Sequence, residues 1–317
     1  MAHELGFEGD FPIATDEASN LAPTEIPLPR IFPDETLAIS PGTDEAEEIF
    51  AATDLSFSYG DTPVLSDLSF DIMRGEFLAI AGSNGAGKST LARILMGLHD
   101  DFAGSVLFDG RQIGTYSPRE FSRRAGFVFQ NPEHQFVTSK VFDEVAFGLR
   151  LLDLPESEVK SITEDVLERF HLGGHRDDSP FTLSHGQKRR LSIATMLGLG
   201  QEVLILDEPT FGQDYANSRE IMNLLRELNE SDRRTVIMIS HDLGLIHEFA
   251  HRIMVLNQGQ ITFNGPPSEL FEHQPILREA NLEVPALVRI AKTIERKIDA
   301  DDRKLESSAV IETETLE

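Results

Sequence analysis

Apolar and polar residues alternate through Thr53-Asp54-Leu55-Ser56-Phe57-Ser58-Tyr59 and again over residues 64–72. A period of two predicts a pair of antiparallel strands. The run Phe77-Leu78-Ala79-Ile80-Ala81 has no polar interruption, which suits a strand covered on both faces. Residues 106–110 and 126–130 add two further strands. Between about 140 and 185 the spacing changes to three and four, with Val141, Val145, Leu149 and then Val159, Ile162, Val166, Phe170, the pattern of amphipathic helices. Buried parallel strands recur at 203–206, 236–239 and 253–256, separated by helices. Short turns follow from about Asn264, and 284–297 forms one predicted helix with Leu287, Ile290 and Ile294 on a face. Residues 1–48 are rich in Pro, Asp and Glu and have no sustained periodicity, so they predict a disordered or loosely attached arm, with folding starting near Ile49. The whole is an α/β sheet domain with a helical insertion.

The first buried strand runs into Gly82-Ser83-Asn84-Gly85-Ala86-Gly87-Lys88-Ser89-Thr90 and then a helix-like Leu91-Ala92-Arg93-Ile94-Leu95-Met96. Glycines let such a loop wrap a polyphosphate with backbone N–H groups turned inward, and the helix dipole points at the same anion. Lys88 is placed to reach the outer phosphates of ATP and the Ser89 hydroxyl to complete a Mg²⁺ shell. At average glycine usage the bare pattern arises by accident in roughly one such chain in a hundred, and the strand and helix beside it lower that further. No internal repeat is present, so one nucleotide site per chain is expected.

Four more segments bear on that site. Val203-Leu204-Ile205-Leu206 ends in Asp207-Glu208, which places two carboxylates at the carboxyl edge of a buried strand, beside the phosphate loop in doubly wound sheets. Asp207 can hold Mg²⁺ through water, and Glu208 can orient or deprotonate an attacking water. His241 follows the strand at 235–240, and Gln130, whose amide can ligate magnesium, closes another. Leu183-Ser184-His185-Gly186-Gln187 precedes a helix; taken alone it reads equally as a cap or a phosphate contact.

Composition narrows the setting. The longest apolar stretch, 191–200, contains Ser192 and Thr195 and is too short to cross a bilayer. The first residues have neither a basic cap nor an apolar core, so no export signal is expected and the chain is expected in the cytoplasm. Absence of cysteine excludes disulfides, thiolate metal sites and cysteine nucleophiles. Asp and Glu total 54 against 28 Lys and Arg, a net charge of −26. Twelve acids and one base fall in residues 1–48, and seven acids and two bases in 299–317, yet the middle is acidic too and only seven basic residues are lysine. That balance suits a high-salt cytoplasm, where carboxylates keep the protein soluble; an ordinary acidic protein with charged tails is the alternative. Nucleic acid is a poor partner for either.

With these residues together, the chain resembles the ATP-binding subunit of ATP-binding-cassette (ABC) transporters over residues 49–270. The resemblance implies an α/β P-loop NTPase fold: a mixed sheet, an antiparallel β subdomain and a helical signature subdomain at about 135–190. A C-terminal helical extension with an acidic tail occupies 271–317. In that likeness Tyr59 stacks on adenine, residues Gly82 to Thr90 are the phosphate loop, and Gln130 is the glutamine loop. Ser184, Gly186 and Gln187 belong to the signature, Asp207 and Glu208 to the second Walker motif, Asp214 to the aspartate loop, and His241 is the switch histidine. The family usually has glycine where this chain has His185. A head-to-tail dimer is implied, with Lys88 of one chain facing Ser184 and Gly186 of a second ATP-binding subunit across ATP. Phe129-Gln130-Asn131-Pro132-Glu133-His134-Gln135, Val145-Ala146-Phe147-Gly148-Leu149 and residues 208–214 look like energy-coupling-factor importers of vitamins and transition metals. That likeness implies a transmembrane coupling subunit, a membrane substrate-binding subunit and a peripheral location on the cytoplasmic face of the membrane. Cassette ATPases acting on chromosomes or ribosomes are the alternative, but Lys88 and Ser184 lie 96 positions apart with no heptad run between them. A non-hydrolysing nucleotide binder is a further one, opposed by Glu208 and His241.

Overall fold

The computed structural model describes residues 47–286, 288–290 and 293–294. Strands β1 (Glu48–Tyr59) and β2 (Thr62–Met73) form an antiparallel hairpin closed by Tyr59↔Thr62. Phe50, Leu55, Phe57, Leu65, Leu68 and Ile72 are buried between its bends, and register shifts near Ala52 and Phe57 accommodate the break in strict alternation. The chain then crosses to a second sheet as β3 (Phe77–Gly82), buried at every position, and continues into helix α1 (Lys88–Leu95). It returns to the first sheet as β4 (Ala103–Phe108) and β5 (Arg111–Gln112). That antiparallel sheet has the order β2-β1-β4-β5.

After α2 (Pro118–Ser122) and β6 (Ala125–Val128) come three helices, α3 (Val141–Arg150), α4 (Glu156–Arg169) and α5 (His185–Leu197). The remainder alternates: β7 (Val203–Asp207), α6 (Tyr215–Glu230), β8 (Thr235–Ile239), α7 (Leu243–Phe249) and β9 (Arg252–Asn257). It closes with β10 (Gln260–Gly265), α8 (Pro267–Leu270) and α9 (Gln274–Glu279). The second sheet runs β10-β9-β3-β8-β7-β6, parallel except for β10. Because β3, β7 and β8 are parallel neighbours, with Ile80↔Ile239 and Asp207↔Ile239 in register, their following loops emerge along one edge. The strand after β3 in this sheet, β6, lies at the far side, so the strand order reverses beside β3, and in open α/β sheets ligands bind beyond the carboxyl ends of the strands at such a point.

Leu78, Ile80, Ile94, Ile205, Ile237 and Met254 belong to one core shared with the antiparallel sheet. Ala146, Leu149 and Val159 form a smaller one between α3 and α4. The sheets are also joined by charge at their edge. Arg74 donates to Asp109 at 2.7 Å, Arg124 pairs with the other oxygen of Asp109 at 2.7 Å, and both arginines pair with Glu202.

Three local expectations change. The strand expected at 106–110 ends at Phe108, since Asp109 (φ 52°) and Gly110 (φ 71°) turn the chain into β5. The short turns expected from about Asn264 are largely replaced by the helices α8 and α9, which follow the end of β10 at Gly265. In α4 the buried positions are Val159, Thr163 and Leu167, with Ile162 and Val166 half-buried; of the expected row, Val159 and Phe170 are buried and Ile162 packs on the smaller core, so the buried face is wider than that row and takes in Thr163 and Leu167. Residues 286, 288–290 and 293–294 are helical, whereas Leu287 and residues 291–292 and 295–297 of the expected C-terminal helix lie outside the described residues. Residues 1–46 of the expected arm also lie outside them.

Candidate functional site

The phosphate loop sits where β3 meets α1. Gly82 has φ 143° and a Cβ there would lie 2.0 Å from the carbonyl oxygen of Leu256, so the strand end can pass β9 only as glycine. Gly87 is the N-cap of α1, left-handed at φ 102°, with no side-chain cap hydrogen bond. The first-turn N–H groups at Lys88, Ser89 and Thr90 therefore open toward the loop without a cap, an arrangement suited to an anion. Ser83, Asn84 and Gly85 form the outward tip, with Asn84 and Gly85 exposed, while Ala86 is buried and its amide donates to the Ser83 carbonyl at 3.2 Å. Lys88 Nζ donates to the carbonyls of Gly82 and Ser83, both at 2.9 Å. Burial holds its pKa below the ordinary lysine value, against the pull of Glu208 and Asp207.

Ser89 Oγ donates to Asp207 Oδ2 at 3.1 Å, linking the start of α1 to the end of β7. Burial raises the Asp207 pKa, opposed by that hydrogen bond and by Arg93, Lys88 and Arg189. The next residue, Glu208, adopts φ 48°, a region that non-glycine residues rarely occupy. Its N–H donates to Ile239 O at 3.0 Å and its carbonyl accepts from Phe211 at 3.1 Å. Both carboxylate oxygens lie 3.0 Å from His241 Nδ1, at the end of β8. The Glu208 side chain is 14% exposed and that of His241 66%, so a sheltered carboxylate meets an imidazole open to solvent.

The hydroxyl of Tyr59, at the exposed end of β1, is 3.0 Å from His99 Nε2, and both rings contact Phe57. Gln130 lies two residues beyond β6 with an exposed side chain. Ser184 is the N-cap of α5. Its hydroxyl accepts from Gln187 N at 3.3 Å while Gln187 Oε1 accepts from Ser184 N at 2.9 Å, a reciprocal capping box. His185 is exposed and its ring bonds the Gln213 amide. Gly186 is half-buried, and an added Cβ would approach Asn217 Oδ1 at 3.2 Å. Asp214 caps α6, accepting from Asn217 N at 2.8 Å. Ser89, Asp207, Glu208 and His241 are thus brought together with Lys88. Among the described residues, no hydrogen bond or ion pair joins Ser184, Gly186 or Gln187 to the phosphate loop.

The sequence reading missed Arg189. Residues 188–190 are a basic run in the first turns of α5, yet Arg189 is fully buried while its neighbours are not. Its spacing carried the signal, because Arg189, Ile193 and Leu197 share the buried face of α5. A second feature missed is a groove of about 620 Å³ between α2 and the end of α3, lined by Pro118, Arg119, Arg123, Gly148, Leu151 and Leu199.

A glycine-rich loop between a buried strand and an uncapped helix, facing an acidic pair on a neighbouring strand, defines a P-loop nucleotide-binding fold. The ABC transporter family profile matches residues 65–211. The solved structure of cbiO1 from Clostridium perfringens, described as part of the ABC transporter complex cbiONQ, is 34% identical with a TM-score of 0.68. The match covers 78% of this chain and 99% of that one. A candidate ABC transporter ATP-binding protein of Methanosarcina acetivorans is 42% identical over 75% of this chain and 38% of its own length. A candidate HMP/thiamine import ATP-binding protein of Bacillus subtilis, YkoD, is 39% identical over 76% of this chain and 43% of its own. The chain spans about two-fifths of the length of these two curated relatives. It belongs to the ABC transporter ATP-binding family of P-loop ATPases.

Proposed function

We propose that this chain is the ATP-binding and ATP-hydrolysing subunit of an energy-coupling-factor importer for a vitamin, a vitamin precursor or a transition metal such as cobalt. The observation that carries the hydrolytic part is the Glu208–His241 contact at 3.0 Å beside the Ser89–Asp207 hydrogen bond. The loop amides and Lys88 would hold the phosphates of ATP, Tyr59 its base. Ser89 and Asp207, with Gln130, offer the oxygen ligands that Mg²⁺ prefers, and the ion would supply charge neutralisation across the outer phosphates. Glu208, oriented by His241, would take a proton from the attacking water. The separation of Ser184, Gly186 and Gln187 from the loop in one chain supports a head-to-tail pair. In it those residues, with Asp214 nearby, complete the site of a second ATP-binding subunit. Residues 49–270 would form the ATPase domain, with 135–190 as its helical subdomain, flanked by an acidic arm and by a C-terminal extension at 271–317.

The import reading is supported by the printed descriptions of cbiO1 and YkoD and by the groove at α2 and α3, where an apolar floor meets Arg119 and Arg123. A transmembrane coupling subunit is its occupant in this reading, with a membrane substrate-binding subunit beside it. No described helix is long and apolar enough to cross a membrane; attachment in this reading is through the coupling subunit, peripheral and on the cytoplasmic face. Affinity purification of the tagged chain from detergent-solubilised membranes tests this. A coupling subunit and a small substrate-binding membrane protein should copurify in fixed ratio. Recovery of the chain with ribosomes or chromatin, and without membrane proteins, contradicts it.

A further inference from the structure

Arg189 is a charge in the core with an unusual set of partners. Its side chain is fully buried, yet among the described residues no carboxylate forms an ion pair with it. Instead Nη1 donates to Phe129 O at 2.6 Å, and Nη2 donates to Gln130 O and, at 3.4 Å, to Glu208 O. These carbonyls follow β6 and β7, adjacent strands paired at Val128↔Leu206. The planar fork of a guanidinium spans two chain segments in a fixed geometry, as an ammonium does not. Burial lowers the pKa of Arg189 to about 10, with Asp207 the opposing charge.

Attachment of the Gln130 segment to α5 does not by itself require this residue. Lys188 pairs with Glu133 at 2.6 Å, and Gln135 Nε2 donates to Ser192 O and Thr195 Oγ1, each at 3.0 Å. What Arg189 adds is the link onward to Glu208, the residue held at φ 48°. It also stands five positions after Ser184 on the same helix. We infer that Arg189 is a positioning residue for ATP cleavage, holding the backbone of Glu208 in register with Gln130 and with the signature helix. The inference rests on the hydrolytic reading above. A shift of the Glu208 backbone moves its carboxylate relative to the attacked phosphate without altering the loop that binds ATP.

The test is steady-state ATP hydrolysis by the purified full chain with Mg²⁺ in molar potassium chloride, comparing wild type, Glu208→Gln, Arg189→Met and Arg189→Lys. Thermal midpoints are measured in parallel. Misplacement of about 1 Å is enough for a loss on the order of a hundredfold. Arg189→Met should therefore lower kcat by about tenfold to a hundredfold with KM for ATP changed less than about twofold. Arg189→Lys, which keeps the charge and loses the fork, should recover part of the loss. If wild type does not hydrolyse ATP, the functional reading falls and this inference with it. If wild type does, Glu208→Gln does not, and folded Arg189→Met matches wild type, the inference alone is overturned. Should Arg189→Met fail to fold, Arg189→Lys decides by the same split between kcat and KM. Failure of both to fold makes Arg189 a core residue only and overturns the assignment.

Discussion

In the proposed function, ATP binding turns on Lys88. Its ammonium, half-buried, donates to two carbonyls of its own loop, which aims it where phosphate oxygens would take their place. Lys88→Ala should abolish ATP binding, read by equilibrium dialysis with labelled nucleotide; retention of near-normal affinity would show that the loop amides suffice. Glu208 acts later. Glu208→Gln keeps the side-chain volume and removes the proton acceptor, so ATP binding should persist while turnover falls by about a hundredfold or more. A normal hydrolysis rate would remove Glu208 from the role of base. Tyr59 and His99 illustrate a different kind of contact: their hydrogen bond at 3.0 Å orders the exposed aromatic that the proposed site uses for adenine.

At the scale of elements, β3 is the strand that everything else references, since it carries the loop and sits between β8 and β9. Its entry is fixed by His251, whose Nδ1 accepts from Phe77 N at 3.0 Å. Burial holds the pKa of His251 below its ordinary value of 6.5, against the pull of Glu76 and Glu230. The unfolded chain binds that proton at the ordinary value while the folded chain resists it. The contribution of His251 to stability is therefore full above about pH 6.5 and is lost as pH falls through the folded value. His251→Asn keeps an acceptor and removes the titration, so wild type should lose thermal stability more steeply than the variant between pH 7 and pH 5. Parallel curves would contradict the role given to this side chain. Much of this architecture is legible in the chain: the uninterrupted apolar runs of β3, β7, β8 and β9 declare themselves locally, as do Gly82 to Thr90 and Asp207-Glu208. What is not legible depends on tertiary contact. Arg189 reads as one of three solvated bases until α5 packs, and β10, although Gln260-Ile261-Thr262-Phe263-Asn264 alternates, is a short strand at a sheet edge whose residues are only half-buried or exposed. The pairing of Asp109 and Glu202 with Arg74 and Arg124 joins residues far apart in sequence.

For the whole molecule, two properties govern how the proposed activity has to be measured. Net charge of −26 means that copies of the chain repel one another at low ionic strength, and concentrated salt screens that repulsion within a few ångströms. Second, the proposed site is divided: the phosphate loop and the proposed catalytic carboxylate lie on one part of the chain, while Ser184 caps α5 and Gly186 lies in its first turn, neither bonded to that loop. In the proposed function, closure by ATP requires two chains, cleavage of the terminal phosphate removes the contacts that hold them together, and hydrolysis is a property of the pair. The most direct measurement is the specific rate of ATP hydrolysis with Mg²⁺ in molar potassium chloride as the protein is diluted across its association range, with Glu208→Gln as the control. The account predicts a specific rate that rises steeply with protein concentration and then saturates, and a control that binds ATP without turning it over. A constant specific rate down to concentrations at which light scattering finds only single chains would contradict the divided site, and no hydrolysis at any concentration would contradict the function.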